Sequence, residues 1–230
     1  MAQLFPSSFN TVARVTIVGG LLFVLAGGAG AMHMYWSPFG TNVNVAKEQP
    51  VPFSHRHHVQ AMGIDCRYCH TTVETGTFAG IPPTETCMTC HSQVWTEAPM
   101  LAPVRESWDT GQPLEWNRIN DLPDFVYFNH SIHVNRGIGC VTCHGQVDDM
   151  PLMMKAETLH MKWCLNCHEH PEKFIRPADK VFDMQWTPGT NKNPVTGEPE
   201  PLKQTEIGPQ LVQQLGINKE QLTNCSICHR

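Results

Sequence analysis

Residues 128–144 read F-N-H-S-I-H-V-N-R-G-I-G-C-V-T-C-H, and this stretch organises the chain. Cys140, Cys143 and His144 form the motif C-x-x-C-H, which attaches c-type haem: the thiols add to the haem vinyl groups and the imidazole binds the iron. His130 and His133 lie upstream and are three residues apart, so they share one face of a helical turn. The stretch therefore supplies a haem attachment site and two further imidazoles that can bind open axial positions.

The same pattern also occurs earlier in the chain, where residues 53–70 read F-S-H-R-H-H-V-Q-A-M-G-I-D-C-R-Y-C-H. Phe53, His55 and His58 correspond to Phe128, His130 and His133. The copy at residues 53–70 has one additional residue before its first cysteine. Each copy is followed by another C-x-x-C-H motif. Residues 53–91 and 128–168 therefore form an internal repeat, named repeat 1 and repeat 2 below.

Five C-x-x-C-H motifs, named hooks 1 to 5 in chain order, contain all ten cysteines. Zinc knuckles or a disulfide framework would not require a histidine after each second cysteine. All five hooks have one, although only 13 of the 230 residues are histidine, so we predict five covalently attached c-type haems. The hook cysteines are Cys66 and Cys69, Cys87 and Cys90, Cys140 and Cys143, Cys164 and Cys167, and Cys225 and Cys228. The predicted proximal iron ligands are His70, His91, His144, His168 and His229.

The remaining histidines include the candidates for the second, distal axial ligands. The repeat favours four of them: His55, His58, His130 and His133. One haem then still lacks a distal ligand. We predict a methionine there, because several methionines lie around hook 4 and methionine raises the reduction potential relative to a second histidine. The first candidate is Met161, and the alternatives are Met150, Met153 and His160.

The N-terminal region predicts export and a membrane anchor, since haem is attached to C-x-x-C-H outside the cytoplasm. Residues 15–46 contain no Asp, Glu, Lys or Arg, and a bilayer is crossed by about 20 apolar residues. Arg14 precedes this run, which favours a cytoplasmic N-terminus. Residues 29–31, A-G-A, also suit a signal-peptide cleavage site. Of the two, we expect an uncleaved single-pass anchor in a bacterial inner membrane, with the haem domain on the periplasmic side.

The expected fold is mostly α and irregular, with short helices that carry the hooks and long loops between them. Roughly 190 soluble residues for five haems leave little chain per cofactor. Arg118 lies in the haem-free insert between the repeats and is predicted to pair with a haem propionate, because arginine suits carboxylates. We predict a cytoplasmic tail 1–11, an anchor 12–36, a linker 37–52, a multihaem domain 53–175, an extended Pro-rich arm 176–224 and the fifth hook 225–230.

The F-x-H-x-x-H units before C-x-x-C-H resemble those of the small multihaem cytochromes c3 and c7. In that family the first histidine binds the haem that follows, and the second reaches another haem. The resemblance implies that His55 serves hook 1 and that His130 serves hook 3. It implies that His58 and His133 cross to other haems.

Over about residues 10–175 the sequence is also similar to the pentahaem cytochrome c subunit of alternative complex III. The stretch from residue 53, the run W-N-R-I-N-D-L-P-D-F-V-Y-F-N-H-S-I-H-V and the run M-K-W-C-L-N-C-H carry this resemblance. It implies an electron-transfer subunit, without substrate chemistry of its own, in a complex that oxidises quinol and reduces periplasmic acceptors. The implied partners are an iron–sulfur/molybdopterin-like subunit, polytopic quinol-binding subunits and a monohaem cytochrome c.

Two other functions share some of these features. A multihaem reductase, for example of nitrite, needs an open iron with acid–base groups above it, and the abundance of spare axial ligands argues against one. A tetrahaem-type membrane quinol dehydrogenase shares the single anchor but requires a quinol pocket that the sequence does not reveal. A nucleic-acid partner is not expected, because the net charge is −5 and the chain has no basic stripe.

Overall fold

The computed structural model describes residues 5–189 and 203–229. The chain divides into two compact units, Met1–Val43 and Asn44–Arg230. The described residues are mostly helical and irregular and contain no β-strand. Their only β-pairings are two isolated bridges, Ala46–Met154 and Ile138–Ile175. The predicted fold class is confirmed in this respect.

The first unit consists of one long helix and a short one. Helix α1, Ser8–Trp36, has 29 residues, which corresponds to about 43 Å and exceeds the roughly 30 Å of a bilayer core. Its side chains are exposed along its whole length. Within the described part of the chain, α1 is the one helix long and apolar enough to cross a membrane. Helix α2, Pro38–Thr41, follows within the predicted linker, after Ser37 adopts an extended conformation.

The second unit contains nine short α-helices in its described residues. They are α3 Cys66–Cys69, α4 Thr84–His91, α5 Ala102–Thr110, α6 His130–Asn135, α7 Cys140–His144, α8 Met161–Glu169, α9 Gln204–Gln214, α10 Lys219–Leu222 and α11 Cys225–Cys228. A single π-helical turn occupies Arg56–Ala61. Short 3₁₀ turns lie at Pro99–Leu101, Val147–Asp149, Pro171–Lys173 and Ala178–Lys180. Each hook lies in or begins a short helix of its own, namely α3, α4, α7, α8 or α11.

The protein core of the second unit is small. One cluster joins Val51 to Leu101 and Val104, and another joins Ile175 to two apolar residues of α9. Ile175 and Val181 are the largest side chains that are less than 2% exposed. Clusters of this size cannot by themselves fill a domain of nearly 190 residues, so most of the interior must be formed by other apolar material.

The region predicted as an extended arm is partly folded. Gln204 Nε2, at the start of α9, donates to the carbonyl oxygens of Glu172 and Ile175 at 2.7 and 2.8 Å. Lys219 of α10 forms an ion pair with Glu172 at 2.9 Å. The C-terminal helices are thus held against the Pro171–Lys173 turn. Residues 190–202 of the predicted arm and residue 230 of the predicted fifth-hook segment lie outside the described residues, as do residues 1–4 of the predicted tail.

Candidate haem-ligand site

In each repeat a phenylalanine orients both upstream histidines. The Phe128 ring meets His130 edge-on, with centroids 4.7 Å apart, and stacks on His133 at 4.5 Å. The Phe53 ring makes the same two contacts in repeat 1, at 4.9 Å and 4.3 Å. The spacing that the two repeats share therefore places one imidazole edge-on to the phenylalanine and the other stacked on it.

The additional residue of repeat 1 is absorbed by a change of helix type. The second histidine stands in the π-helical turn Arg56–Ala61 in repeat 1 and in the α-helix α6 in repeat 2. A π-turn accommodates one more residue than an α-turn, and such turns are frequent at functional sites. Both copies then reverse at a glycine with positive φ, 70° at Gly63 and 79° at Gly137, before the hook begins. The contacts of both histidines with the phenylalanine are consequently preserved despite the different lengths.

Three upstream histidines face the proximal histidine of a hook. The ring centroids are 6.4 Å apart for His130 and His144, and the ring planes differ by 4°. The corresponding values are 6.3 Å and 27° for His133 and His168, and 6.2 Å and 66° for His58 and His91. An imidazole–metal bond is about 2 Å, and a coordinating nitrogen lies roughly 1 Å from its ring centroid, so one ion between two imidazoles separates the centroids by about 6 Å. All three pairs have this spacing.

Hydrogen bonds fix which nitrogen of each histidine can bind iron. In seven of the predicted axial histidines, Nδ1–H donates to a backbone carbonyl oxygen 2.6–3.1 Å away. These are His58, His70, His91, His130, His133, His168 and His229. This bond leaves the lone pair on Nε2, the nitrogen that points away from the backbone. The carbonyl partners thus select the tautomer that a haem ligand requires.

His144 is oriented by a side chain instead of a carbonyl. Asn120 places its amide nitrogen 3.0 Å from His144 Nδ1, while the amide oxygen is buried without a partner in the described residues. A half-turn of the amide exchanges these two atoms, so that His144 Nδ1–H donates to Asn120 Oδ1 and the buried oxygen is satisfied. We assign the amide this orientation. Sequence reasoning missed Asn120, and its place in the run W-N-R-I-N was the only signal that pointed to it.

Burial keeps the inner histidines neutral at physiological pH. It lowers the pKa of His144 to about 4, with His130 and His70 contributing through charge repulsion. It lowers the pKa of His55 to about 4 as well, and the strongest neighbouring contribution there is His70. A histidine whose pKa is lowered loses its proton below pH 7, and the neutral imidazole is the form that binds a metal. His55 differs from its counterpart His130 in one respect, because its Nδ1 is buried without a hydrogen-bond partner in the described part of the chain.

Hook 1 is a neighbour of both hook 2 and hook 3. Tyr68 of hook 1 and Thr89 of hook 2 share a hydrogen bond of 2.9 Å between their hydroxyl groups. The pKa of the Cys140 thiol is raised to about 11, mainly by burial and secondly by the nearby Cys66 thiol. Hook 1 therefore lies between hooks 2 and 3.

Hook 3 continues the series towards the C-terminal hooks. The pKa of the Cys143 thiol is raised to about 12, mainly by burial and then by the nearby hook 4 thiols of Cys167 and Cys164. His168 of hook 4 donates to the carbonyl of Leu222, three residues before hook 5. These contacts give the spatial order 2–1–3–4–5, in which hooks 2 and 5 occupy the ends.

The fifth hook differs from the other four. The ring that stacks on His229 is Phe125, at 5.8 Å and 28°, and the carbonyl of the same residue accepts from His229 Nδ1. Met161 is the first residue of α8 and is 65% exposed, one turn before the cysteine of hook 4. Met150 is buried, Met153 is half-buried, and His160 precedes α8 as its N-cap. Among the candidate methionines, Met161 alone is exposed. It lies at the start of the helix that carries hook 4, the neighbour of hook 5.

The predicted propionate partner Arg118 lies at the surface. Its guanidinium is 3.5 Å from Asp121, and both side chains are about two-thirds exposed, at 69% and 66%. An exposed ion pair of this kind contributes little to stability. Arg105, a second arginine of the insert, donates to the carbonyl oxygens of Thr96 and Ala98 and holds the insert in shape.

The donor set fits c-type haem. No disulfide joins any of the ten cysteines, and the hooks place a histidine with a fixed tautomer directly after each pair. Three of the predicted distal histidines stand at the separation that one metal ion between two imidazoles requires. Large apolar side chains near the hooks are exposed, among them Phe78, Ile81, Phe125 and Ile132, as expected of residues that pack on a haem face.

Comparisons with known proteins agree with this assignment. Residues 126–230 match the family model described as cytochrome c7 and related cytochrome c. The chain is 36% identical over 136 residues to the multiheme cytochrome c subunit of menaquinone reductase from Nitratidesulfovibrio vulgaris, covering 59% of this chain and 64% of that protein. The chain thus spans just under two thirds of the length of this relative. Residues 126–230 of the second unit are thus similar to cytochrome c7 and related cytochromes c, which agrees with covalently attached c-type haem as the cofactor.

Proposed function

We propose that this protein is a membrane-anchored pentahaem cytochrome c that relays electrons from quinol oxidation to periplasmic acceptors. The observation that carries the proposal is the pairing of His58, His130 and His133 with proximal histidines of three different hooks. An iron held by two imidazoles has no free position for a substrate. Such a protein transfers electrons and performs no substrate chemistry of its own.

The work of the chain is to hold ligands and to set their surroundings. Bound haem supplies one-electron redox chemistry, and the protein adjusts it through axial ligands, hydrogen bonds and burial. The phenylalanine of each repeat fixes the ring planes, and the carbonyl bonds to Nδ1 keep Nε2 available. The contacts between successive hooks support a continuous relay with ends at hooks 2 and 5.

The proposed setting is a respiratory or photosynthetic complex similar to alternative complex III. Five hooks and one N-terminal apolar helix support this narrower proposal. Helix α1 would anchor the chain in the bacterial inner membrane, with the N-terminus inside and the haem domain in the periplasm. The partners would be an iron–sulfur/molybdopterin-like subunit, polytopic quinol-binding subunits and a monohaem cytochrome c.

A second candidate differs in the direction of electron flow. The relative in Nitratidesulfovibrio vulgaris is named as a subunit of menaquinone reductase, which favours transfer from the haems to the quinone pool. The same ligand arrangement serves either direction, because a chain of six-coordinate haems conducts both ways. The reduction potentials of the haems relative to the quinone therefore decide between the two.

Both candidates are tested with the complex isolated by a tag on the full chain and reconstituted in lipid. We expect five haems per chain in a pyridine haemochrome assay and reduction of the oxidised haems by added menaquinol. Reoxidation of pre-reduced haems by menaquinone, without reduction by menaquinol, would support the second candidate. If neither reaction occurs although dithionite reduces the haems, both candidates are wrong.

A further inference from the structure

The surface beside hook 2 includes part of the haem-free insert, and residues 92–116 of that insert contain no predicted haem ligand. Hook 2 lies at one end of the series of hook contacts, and the haem-free insert starts directly after it. His91 Nδ1 donates to the carbonyl of Val94 at 3.1 Å, which holds the next residue, Trp95, beside the hook. The Trp95 ring stacks on His57 at 5.6 Å, and His57 precedes His58, the partner of His91. Trp95 is therefore two contacts away from the axial ligands of a terminal haem.

Trp95 has unusual properties for a surface residue. It is 55% exposed and has a φ of 56°, a left-handed conformation that bulky residues rarely adopt. Val94, Met100 and Trp108 are also about half exposed, at 54%, 50% and 49%. Residues 95–100 line a concavity of about 740 Å³. Exposed tryptophan and methionine are enriched at sites where proteins bind each other.

Unpaired negative charge is concentrated in the same part of the chain as these apolar side chains. Residues 84–116 contain five carboxylates and one arginine, and five minus one gives a net charge of −4, against −5 for the whole chain. Arg105 is occupied by two carbonyl oxygens. The five carboxylates are exposed, and no ion pair joins any of them to another described residue. They are Glu85, Glu97, Glu106, Asp109 and Glu115.

We propose that this surface, residues 84–116, docks a soluble electron-transfer protein whose redox centre is ringed by lysines or arginines. The proposal rests on the relay function and specifies where electrons leave or enter it. Opposite charges accelerate the encounter and orient the partner, and the effect falls as salt screens them. Trp95 and Met100 supply the apolar contact at the centre. Small, transient interfaces of this kind are typical of electron-transfer partners.

The test uses the purified full chain with its haems, in detergent, and a lysine-rich monohaem cytochrome c as the probe. Stopped-flow spectroscopy measures the second-order rate constant of electron transfer between about 10 and 500 mM salt. The test variant is Glu97→Lys with Asp109→Lys. The matched control, Asp124→Lys with Glu220→Lys, reverses two exposed carboxylates near hook 5, so the change in total charge is identical.

We expect the test variant to lower the rate constant at low salt about tenfold and to remove most of its salt dependence. The control should retain at least half of the wild-type rate. Equal effects of the two variants would overturn the proposed surface, because only total charge would then matter. A carbodiimide cross-link from Glu97 or Asp109 to a resident subunit of the membrane complex would also overturn it. If the wild-type haems, once reduced by dithionite, do not reduce the probe at all, the relay function itself fails.

Discussion

The two repeats place their upstream histidines on the phenylalanine ring in the same way, but in different surroundings. The phenylalanine–histidine distances agree within 0.2 Å, as shown by 4.9 and 4.7 Å for the edge contacts and 4.3 and 4.5 Å for the stacked ones. Burial raises the pKa of three thiols of repeat 2, Cys140, Cys143 and Cys167, to about 11 or 12. In repeat 1, one hook cysteine, Cys90, is exposed, whereas all four hook cysteines of repeat 2 are partly buried.

The difference has a structural origin in the segment that follows repeat 2. Arg176 is only 6% exposed, packs against Gly139 at the start of hook 3 and donates to two carbonyl oxygens downstream. Repeat 1 is instead followed by the haem-free insert, in which Trp95 and Trp108 are exposed. A short local pattern therefore sets the ligand geometry, whereas sequence-distant segments determine how deeply each repeat is buried.

Loss of a distal histidine should have the largest effect, and it should be equal in the two repeats. We expect His58→Ala and His133→Ala each to open one iron per chain, because each faces the proximal histidine of one hook. The measurement is the high-spin ferric signal in electron paramagnetic resonance, integrated per chain. His57→Ala serves as the control and should give no such signal. A high-spin signal from only one of the two variants would show that the repeats do not ligate alike.

The second prediction separates the repeats by their packing. Gly63 and Gly137 have similar positive φ, so alanine at either position costs about 1–2 kcal/mol of conformational strain. A Cβ at Gly137 would lie 2.5 Å from the carbonyl oxygen of Arg176, whereas one at Gly63 meets nothing within 4 Å. Overpacking adds roughly 1–3 kcal/mol, so Gly137→Ala should destabilise the protein more than Gly63→Ala.

Guanidinium unfolding of the two haem-loaded variants, followed by circular dichroism, measures this difference. The midpoint for Gly137→Ala should fall clearly below that for Gly63→Ala. Equal midpoints would mean that the contact between hook 3 and the segment after repeat 2 does not contribute to stability.

The third prediction concerns the ring planes and has the smallest effect. The planes differ by 66° at His58 and His91 and by 4° at His130 and His144. Low-spin ferric haems with near-perpendicular imidazoles give a strongly anisotropic paramagnetic resonance signal, and near-parallel ones give a rhombic signal. We expect one signal of the first kind, from hook 2, and a rhombic one from hook 3. Deletion of Ala61, which restores the spacing of repeat 2, should shift the anisotropic signal towards the rhombic type. An unchanged spectrum would show that the π-helical turn does not determine the angle between the planes of His58 and His91.

Local features of the site were accessible from the sequence. The C-x-x-C-H spacing identified c-type haem, and the apolar run before residue 37 predicted the long helix. The F-x-H-x-x-H unit singled out the upstream histidines, whose rings face proximal histidines at an iron-bridging distance in three cases. These signals are local because the residues of each unit lie within about one or two helical turns of each other.

Other features depend on contacts between distant parts of the chain. Asn120 contacts His144 from the insert, and Thr77 of repeat 1 accepts from His130 of repeat 2. No spacing rule links such positions. The order of the hooks was inaccessible for the same reason, since hook 1 adjoins both hook 2 and hook 3. The propionate role of Arg118 and the methionine ligand of the fifth haem stay predictions, because no contact of the described residues bears on either.

The central claim is that every iron is closed by two axial ligands, and a carbon monoxide difference spectrum of the reduced, intact protein tests it most directly. We expect five haems per chain and no carbon monoxide binding. Stoichiometric binding by one haem would contradict the claim. It would reveal an open iron and would favour a multihaem reductase over an electron relay.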